Sequence, residues 1–306
     1  MIRNAYGHEP LYLSVEDDNG CSGVLPAFIV RRPLIGTVIT SMPYLDAGGP
    51  SSASHELSQL LVERLLGEAR RIGARLVELR CTRPLSVDVE PQEHKVTMML
   101  SLPADAGRLW RQLDGSVRNQ VRKAERSGLS VEVGAADKLE VFYDIFAARM
   151  RDLGSPVHAC DFFREVLEAF GSRARIVLVR KSNTPVGGLL ALAFGDCLAV
   201  PWAACLKEHF ASCPNMLLYW EALRSACDEG FRSFDFGRST RGSGTYRFKE
   251  QWGATAVPLL WYTIPITAPS GRSAGRGADV AVAVWQRLPL LVTNHLGPRI
   301  RRYLTQ

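Results

Sequence analysis

The chain has 306 residues, of which 46% are hydrophobic and 22% charged, and a formal net charge of +6. This composition excludes a largely disordered chain, and the length accommodates two medium domains or one large one. No apolar run reaches the ~18–20 residues of a membrane span; the nearest, 278–292, is broken by Asp279, Arg287 and Pro289. The N-terminus has no apolar h-region, so no secretory signal is expected. Seven cysteines without a C-x-x-C read as reduced cytosolic thiols. The six histidines show no H-x-x-x-H, and His209 with Cys213 is a lone pair of ligands, so no metal site is expected.

In chain order, Val24–Val30 and Thr37–Ser41 read as strands. A helix capped by Ser52 or Ser54 runs to about Ile72, with Leu57, Leu60, Leu61, Leu65 and Ala69 on one stripe and Gly73 as its stop. Leu76–Arg80 and Val96–Leu102 are further strands. Asp105–Ser127 reads as one long amphipathic helix, apolar at Leu109, Leu113, Val117 and Val121. A second, similar series follows. It has a strand at Leu129–Val133 and helices at Asp137–Met150 and Asp161–Phe170, each starting at an Asp able to cap. Strands at Arg175–Arg180, Val186–Phe194 and Cys197–Ala204 come next, the last two forming a hairpin at Gly195-Asp196. A helix from Pro214 to Glu229, a strand at Ser233–Phe236, a glycine-rich loop, a short helix around Thr245–Trp252 and a closing strand at Val257–Ile264 complete it. Residues 267–277 have linker composition, and 278–304 form a helical tail. The expected organisation is a mixed α/β chain with units 1–104 and 105–266 and a basic tail, 267–306.

Three stretches carry candidate chemistry. In Phe234–Ala254 a strand leads through glycines into a helix, offering N–H groups to an anion beside Arg238, Arg241, Arg247 and Lys249 and the hydroxyls of Ser239, Thr240, Ser243 and Thr245. Gly237 and Gly242 have P-loop spacing, but Ser243 stands where a P-loop needs lysine, which excludes an NTPase. Tyr246 and Lys249 share a helix face, while Phe248 and Trp252 pack inward. The alternative for this stretch is an ordinary solvated turn.

In Val200–Ala204, Pro201 cannot donate to a ladder, so the strand bulges or lies at an edge. A bulge would leave an N–H near Trp202 to hold an oxyanion. Downstream, Asn215 and Tyr219 share a face. Finally, Arg118, Arg122 and Arg126 form a basic face on a segment, 105–127, with six basic and three acidic residues. Such a face is either a solvated helix surface or a contact for phosphate or RNA.

Together, RNQVRKAERSGLSVEV, MRDLGSPV, VPWAAC with PNMLLYWEAL, and FDFGRSTRGSGTYRFKEQWGA resemble the FemAB-like acyltransferase family. More narrowly they resemble its branch associated with the exosortase (PEP-CTERM) sorting and exopolysaccharide system. The resemblance spans roughly Pro26 to Tyr262. It implies twin GCN5-related N-acetyltransferase (GNAT)-like units; the sequence departs from the family in having little before its first strands, so an abridged first unit is expected. It also implies transfer of an aminoacyl group from aminoacyl-tRNA to an amine of a peptidoglycan precursor. Phe248-Lys249 matches the family's F-K pair, whose lysine lies near reacting or phosphate groups; Arg122–Gly128 matches R-K-A-x-(K/R)-x-G. The coiled-coil arm of FemA-type members and the acetyl-CoA pyrophosphate motif are both missing, the latter from Lys207–Asn215.

The expected activity is therefore N-acyl transfer to an amine on an anionic envelope or polysaccharide precursor. The donor is aminoacyl-tRNA or acyl-CoA, with no tightly bound cofactor; the alternative is a non-catalytic module binding an anionic precursor or RNA. Lys249 or the N–H near Trp202 would stabilise the oxyanion, and Asp235 or Tyr246 would take the amine proton. Arg238, Ser239, Thr240, Ser243, Asn215, Tyr219, Arg118 and Arg122 would bind substrate. Lys249→Ala is expected to cut turnover with the fold intact. The tail holds six basic residues against one acidic. With Trp285, Leu288, Leu290 and Leu291, it would lie on an anionic inner-membrane leaflet, placing a cytoplasmic protein at the membrane periphery.

Overall fold

The computed structural model describes residues 1–17, 20–33, 36–267 and 277–305. The N-terminal elements are α1 (Ile2–Tyr6), β1 (Glu9–Asp17), β2 (Gly20–Arg32), β3 (Gly36–Ser41), β4 (Ser51–Ser52), α2 (His55–Ile72) and β5 (Leu76–Cys81). The segment expected to hold little before the first strands thus carries a helix and a nine-residue strand. Alternation explains β1: Leu11, Leu13 and Val15 pack on the core while the residues between them point away. The first unit is not abridged. Helix α2 starts where Ser54 accepts the Leu57 N–H at 3.2 Å and ends at left-handed Gly73, beyond which the Ala74 N–H returns to the Ala69 carbonyl at 2.8 Å. Leu61, Val62, Leu65 and Ala69 are buried, whereas Leu60, expected on the stripe, is exposed.

The chain continues through β6 (Lys95–Ser101), α3 (Ala106–Gln112), α4 (Gly115–Arg126), β7 (Leu129–Gly134), α5 (Leu139–Asp152), α6 (Cys160–Phe170), β8 (Ala174–Lys181), β9 (Thr184–Phe194) and β10 (Cys197–Cys205). Next come α7 (Pro214–Asp228), β11 (Ser233–Thr240), α8 (Gly244–Glu250), β12 (Thr255–Pro258), β13 (Leu260–Pro265), α9 (Gly277–Arg287) and α10 (Leu290–Arg301). The single helix expected over 105–127 is two. Leu113 adopts an extended conformation, and Asp114-Gly115, both weak helix formers, reopen the backbone. Its apolar stripe is nevertheless correct: Leu109, Leu113, Val117 and Val121 are all buried. Asp105 caps α3, accepting the Arg108 N–H at 2.7 Å. Asp137 and Asp161 do not cap α5 and α6. Asp137 accepts the Ala135 N–H at 2.8 Å in a preceding 3₁₀ turn, and Asp161 lies inside the first turn, paired with Arg164.

Two sheets result. The first has the order β1-β2-β3-β5-β13, with β4 added to β2. The second has the order β12-β6-β11-β10-β9-β8-β7. Strand β6, read from sequence with the first unit, therefore belongs to the second sheet, and β13, read with the second, closes the first. The described residues of 2–96, 257–267 and 302–305 form one compact unit, and those of 97–256 and 277–301 form the other. Residues 268–276 of the expected linker lie outside the described residues. The helical tail exists as α9 and α10. Gly297 of α10 sits against Val157, where an added Cβ would come within 3.0 Å, and Gln286 of α9 donates to the Asp152 carbonyl at 3.0 Å. The six described cysteines are free.

In the first unit, β3 and β5 pair in parallel over Val38–Thr40 and Leu76–Glu78, then part. The unit fills this opening itself. The Arg80 N–H donates to Ser41 Oγ at 2.9 Å, and the Arg80 carbonyl accepts the Gly48 and Gly49 N–H groups at 2.9 and 2.8 Å. The buried Arg80 guanidinium donates to the Leu45 carbonyl at 2.6 Å and to the Thr305 carbonyl. Glu78 accepts hydrogen bonds from Arg32 at 3.0 Å, Thr40 at 3.0 Å and Thr305 at 2.6 Å.

Burial pushes the Glu78 carboxyl up, but Arg32, the Thr305 hydroxyl and Arg80 outweigh burial and hold it below the usual carboxylate value. A depressed folded value stabilises the unit above the unfolded carboxylate value of about 4.3, and this contribution is lost as pH falls through the folded value. In urea titrations at a series of pH values, wild-type stability should fall below about pH 5, with a shallower slope in Glu78→Gln.

Candidate active site

Strands β10 and β11 run in parallel over three residue pairs, Cys197–Ala199 with Ser233–Asp235, and then separate. Two local features drive them apart. The pairing of β10 with β9 skips between Ala199 and Trp202, a bulge centred on Val200 and Pro201, as the donor-less proline predicts. Opposite, Gly237 adopts φ +74°, and a Cβ there would lie 3.0 Å from the Val200 carbonyl oxygen. Only glycine suits both demands.

The end of β11 is clamped from two sides. Asp235 Oδ1 accepts the Gly237 N–H at 2.8 Å and the Thr97 hydroxyl of β6 at 2.5 Å. Lys249 of α8 is buried and donates from Nζ to the Gly237 and Arg238 carbonyls, both at 2.8 Å. Lys249 therefore pins the strand to the helix, with two of its donors held by main chain. Asp235 is an acceptor in the same brace, not a group directed at a substrate proton.

Beyond the parting lies a cleft of about 830 Å³, open to solvent. Ala203, Ala204 and Cys205 of β10 form its floor. Asn215, Leu218 and Tyr219 of α7, Gly244, Thr245, Phe248 and Lys249 of α8, Arg149 of α5, and Leu153 and Phe210 at the rim complete the lining. The Arg149 guanidinium sits 5.4 Å from the Phe210 ring centroid. Among the described residues no carboxylate and no imidazole line the cleft, and its charged side chains are Arg149 and Lys249. Tyr219 is buried, with its ring stacked on Phe236 at 5.4 Å, and burial pushes its phenol well above the ordinary value. Burial likewise pushes the Cys205 thiol up to about 12.

The sequence-derived candidates divide accordingly. Lys249, Asn215 and Tyr219 line the cleft. Tyr246 does not: the helix face that does is Gly244, Thr245, Phe248 and Lys249, so Phe248, expected inward with Trp252, reaches the cleft. Trp202 faces the other side of the sheet, edge-on to Phe162 and Phe163 at 5.6 and 5.3 Å and to His158 at 6.4 Å. Its neighbour His158 is buried. Burial, then Arg301 and Arg238, hold it well below its ordinary value, so it is neutral.

Arg238, Ser239, Thr240 and Ser243 lie outside the cleft lining. Arg238 supplies a carbonyl to Lys249, Ser239 is buried, and Ser243 caps α8, accepting the Tyr246 N–H at 3.2 Å. Arg118 and Arg122 also lie elsewhere. Arg118 donates to the Trp110 and Arg111 carbonyls at 3.3 and 3.2 Å, closing the end of α3, and Arg122 stacks 5.6 Å from the Trp110 centroid. The sequence reading missed Arg149, Leu153 and Phe210. MRDLGSPV contains Leu153 and follows directly on Arg149, but nothing in helical spacing distinguishes them from a rim facing water. Among the described residues no group of three His, Cys, Asp or Glu side chains is placed to hold a metal ion.

Residues 111–250 match the family model of the acetyltransferase (GNAT) domain. That stretch therefore resembles a GNAT domain. Its fold is similar to that of FemX, with 14% identity, 86% of this chain and 90% of that one covered, and a TM-score of 0.62. It is similar to the C-terminal domain of a putative lysylphosphatidylglycerol synthetase from Agrobacterium fabrum, with 11% identity, 93% and 89% covered, and a TM-score of 0.58. It is also similar to a tandem GNAT protein of the clavulanic acid pathway, with 9% identity, 86% and 85% covered, and a TM-score of 0.52. No curated protein sequence matches the chain. The mixed α/β architecture is thus that of twin GNAT-like units. The two three-pair parallel seams, β3/β5 and β10/β11, hold corresponding places in the two units.

Lys249→Ala leaves two buried carbonyls without a donor, so it should cost about 1–3 kcal/mol of stability. Gly237→Ala, forced into left-handed backbone, should cost roughly 1–2 kcal/mol. Urea denaturation of both variants checks these values.

Proposed function

We propose that this chain is an N-acyltransferase that moves an acyl group from a coenzyme A thioester to an amine, using the cleft that β10, α7 and α8 line. The observation that carries this reading is the cleft's charge: among the described residues its lining has two cations, no anion, and an uncharged remainder that is mostly apolar. An aminoacyl donor brings an α-ammonium that needs a carboxylate or carbonyl cage, and Arg149 and Lys249 would repel it. A neutral acyl group meets Leu218, Phe248, Ala203 and Ala204 instead. The same cations favour the unprotonated form of an incoming amine, which is the reactive one.

In the reaction, the amine nitrogen attacks the thioester carbonyl carbon, the C–S bond breaks, and the thiolate leaves. Beyond Ala199, β10 no longer shares a ladder with β11, so its edge presents main-chain groups that suit a developing oxyanion. Tyr219, kept protonated by burial, would donate a hydrogen bond to the leaving thiolate, while the proton lost by the amine passes through solvent to the thiolate. The positive end of the α7 dipole at Asn215 and the Arg149 guanidinium favour the donor's phosphates. Asp235, Lys249 and Ser243 position the strand and helix around this chemistry.

An amine on an anionic envelope or polysaccharide precursor remains the proposed acceptor class. The link to the exosortase system rests on the sequence resemblance, and a cytoplasmic site of action on the reading of the cysteines as reduced thiols. No helix among the described residues is long and apolar enough to cross a membrane.

Purified protein incubated with acyl-CoA and a panel of amino sugars and lysyl peptides should release free thiol only when amine is present, with the amide seen by intact mass. Aminoacyl transfer from aminoacyl-tRNA without thiol release would overturn the reading. Tyr219→Phe should lower kcat about tenfold to hundredfold with KM for donor little changed. Because the first unit fills its own seam, calorimetry should give one donor bound per chain.

A further inference from the structure

Helices α9 and α10 each bury one side against their own unit. On α9, Val282 packs at Gly154 and Gln286 donates to the Asp152 carbonyl. On α10, Thr293 and Gly297 are buried, and Arg301 lies 3.1 Å from His158 Nε2. Helical periodicity then fixes what faces away. On α9 these are Val280, Val284 and Arg287; on α10 they are Leu291, Val292 and Arg299. Val280 is 64% exposed, Val284 53% and Leu291 86%. Trp285, Leu288 and Leu290, which the sequence placed on the same apolar surface as Leu291, are instead half-buried.

Large aliphatic side chains this exposed, on two helices lying on the body of a unit, are costly to leave in water. The charge beside them is mostly of one sign: from Gly277 to Thr305 the chain has four arginines against a single acidic residue, Asp279. A protein partner of ordinary composition would be met by a mixed rim of both signs. Apolar ridges whose flanking charge is chiefly arginine match a surface that is apolar within and anionic at its boundary.

We propose that the outer faces of α9 and α10 dock on an anionic lipid bilayer, with Val280, Val284, Leu291 and Val292 entering the acyl boundary and Arg287 and Arg299 at the phosphates. This surface lies apart from the cleft lining and does not depend on the proposed reaction.

The test is vesicle flotation with the full chain, using phosphatidylcholine alone and phosphatidylcholine with phosphatidylglycerol in equal parts. The chain should float with the anionic vesicles only, and high salt should release it. Arg287→Gln with Arg299→Gln should weaken partitioning roughly tenfold or more. Val284→Asp with Leu291→Asp should abolish it. These positions are exposed, so circular dichroism and the melting midpoint should be unchanged in both variants. No flotation, flotation indifferent to lipid charge, or flotation unaffected by these substitutions would overturn the proposal. So would light scattering that shows a wild-type dimer made monomeric by Leu291→Asp, since a second copy would then cover the face.

Discussion

The separation of two parallel strands after three residue pairs is the constraint on which the second unit depends. A parallel seam that continued would saturate its own main-chain groups and leave no room for a substrate. Here Pro201 withholds a donor on one strand, and Gly237 takes a backbone conformation that brings it against Val200 on the other. A parted seam is unstable unless its ends are held. Asp235 holds the turn through Gly237 and Thr97, while Lys249 draws the last carbonyls of β11 onto α8. The polar residues that look most catalytic in the sequence are therefore the ones that keep the opening open.

The first unit solves the same problem in the opposite way. Its β3/β5 seam also spans three pairs. Arg80 then reaches across the opening, Gly48 and Gly49 close on its carbonyl, and Thr305 is drawn in between Glu78 and Arg80. Buried charge is stable there because each ionic group has several partners. In the second unit the corresponding space is bounded by alanines, aromatic rings and two cations. One architecture thus yields a filled opening where side chains satisfy each other, and a cleft where they do not meet.

Charge shows the same division. The basic helix face around Arg118 and Arg122 reads as an anion contact. In the fold, one guanidinium closes a helix end and the other covers Trp110. The long, amphipathic arginine side chain serves packing as readily as recognition. Arg149, which does line the cleft, comes from a helix with no unusual charge density.

Periodicity and chain-breaking residues made the elements legible. The stripes of α2 and of 105–127, the bulge at Pro201, the strand-loop-helix around Gly237 and the twin plan could all be read because they depend on neighbours in sequence. The N-terminal strand was equally periodic and was passed over. What sequence could not decide was direction and partnership. Tyr246 and Phe248 sit two residues apart on a short helix, and only the position of α8 against β11 determines which faces the cleft. Strands β6 and β13 carry no mark of the sheet they join. Whether Lys249, Asp235 or Ser243 meets a substrate or a main-chain group depends on atoms far away in the chain. Side-chain chemistry is fixed by sequence, but an ionic or hydrogen-bonding group acts on whatever the fold places within about 3 Å of it.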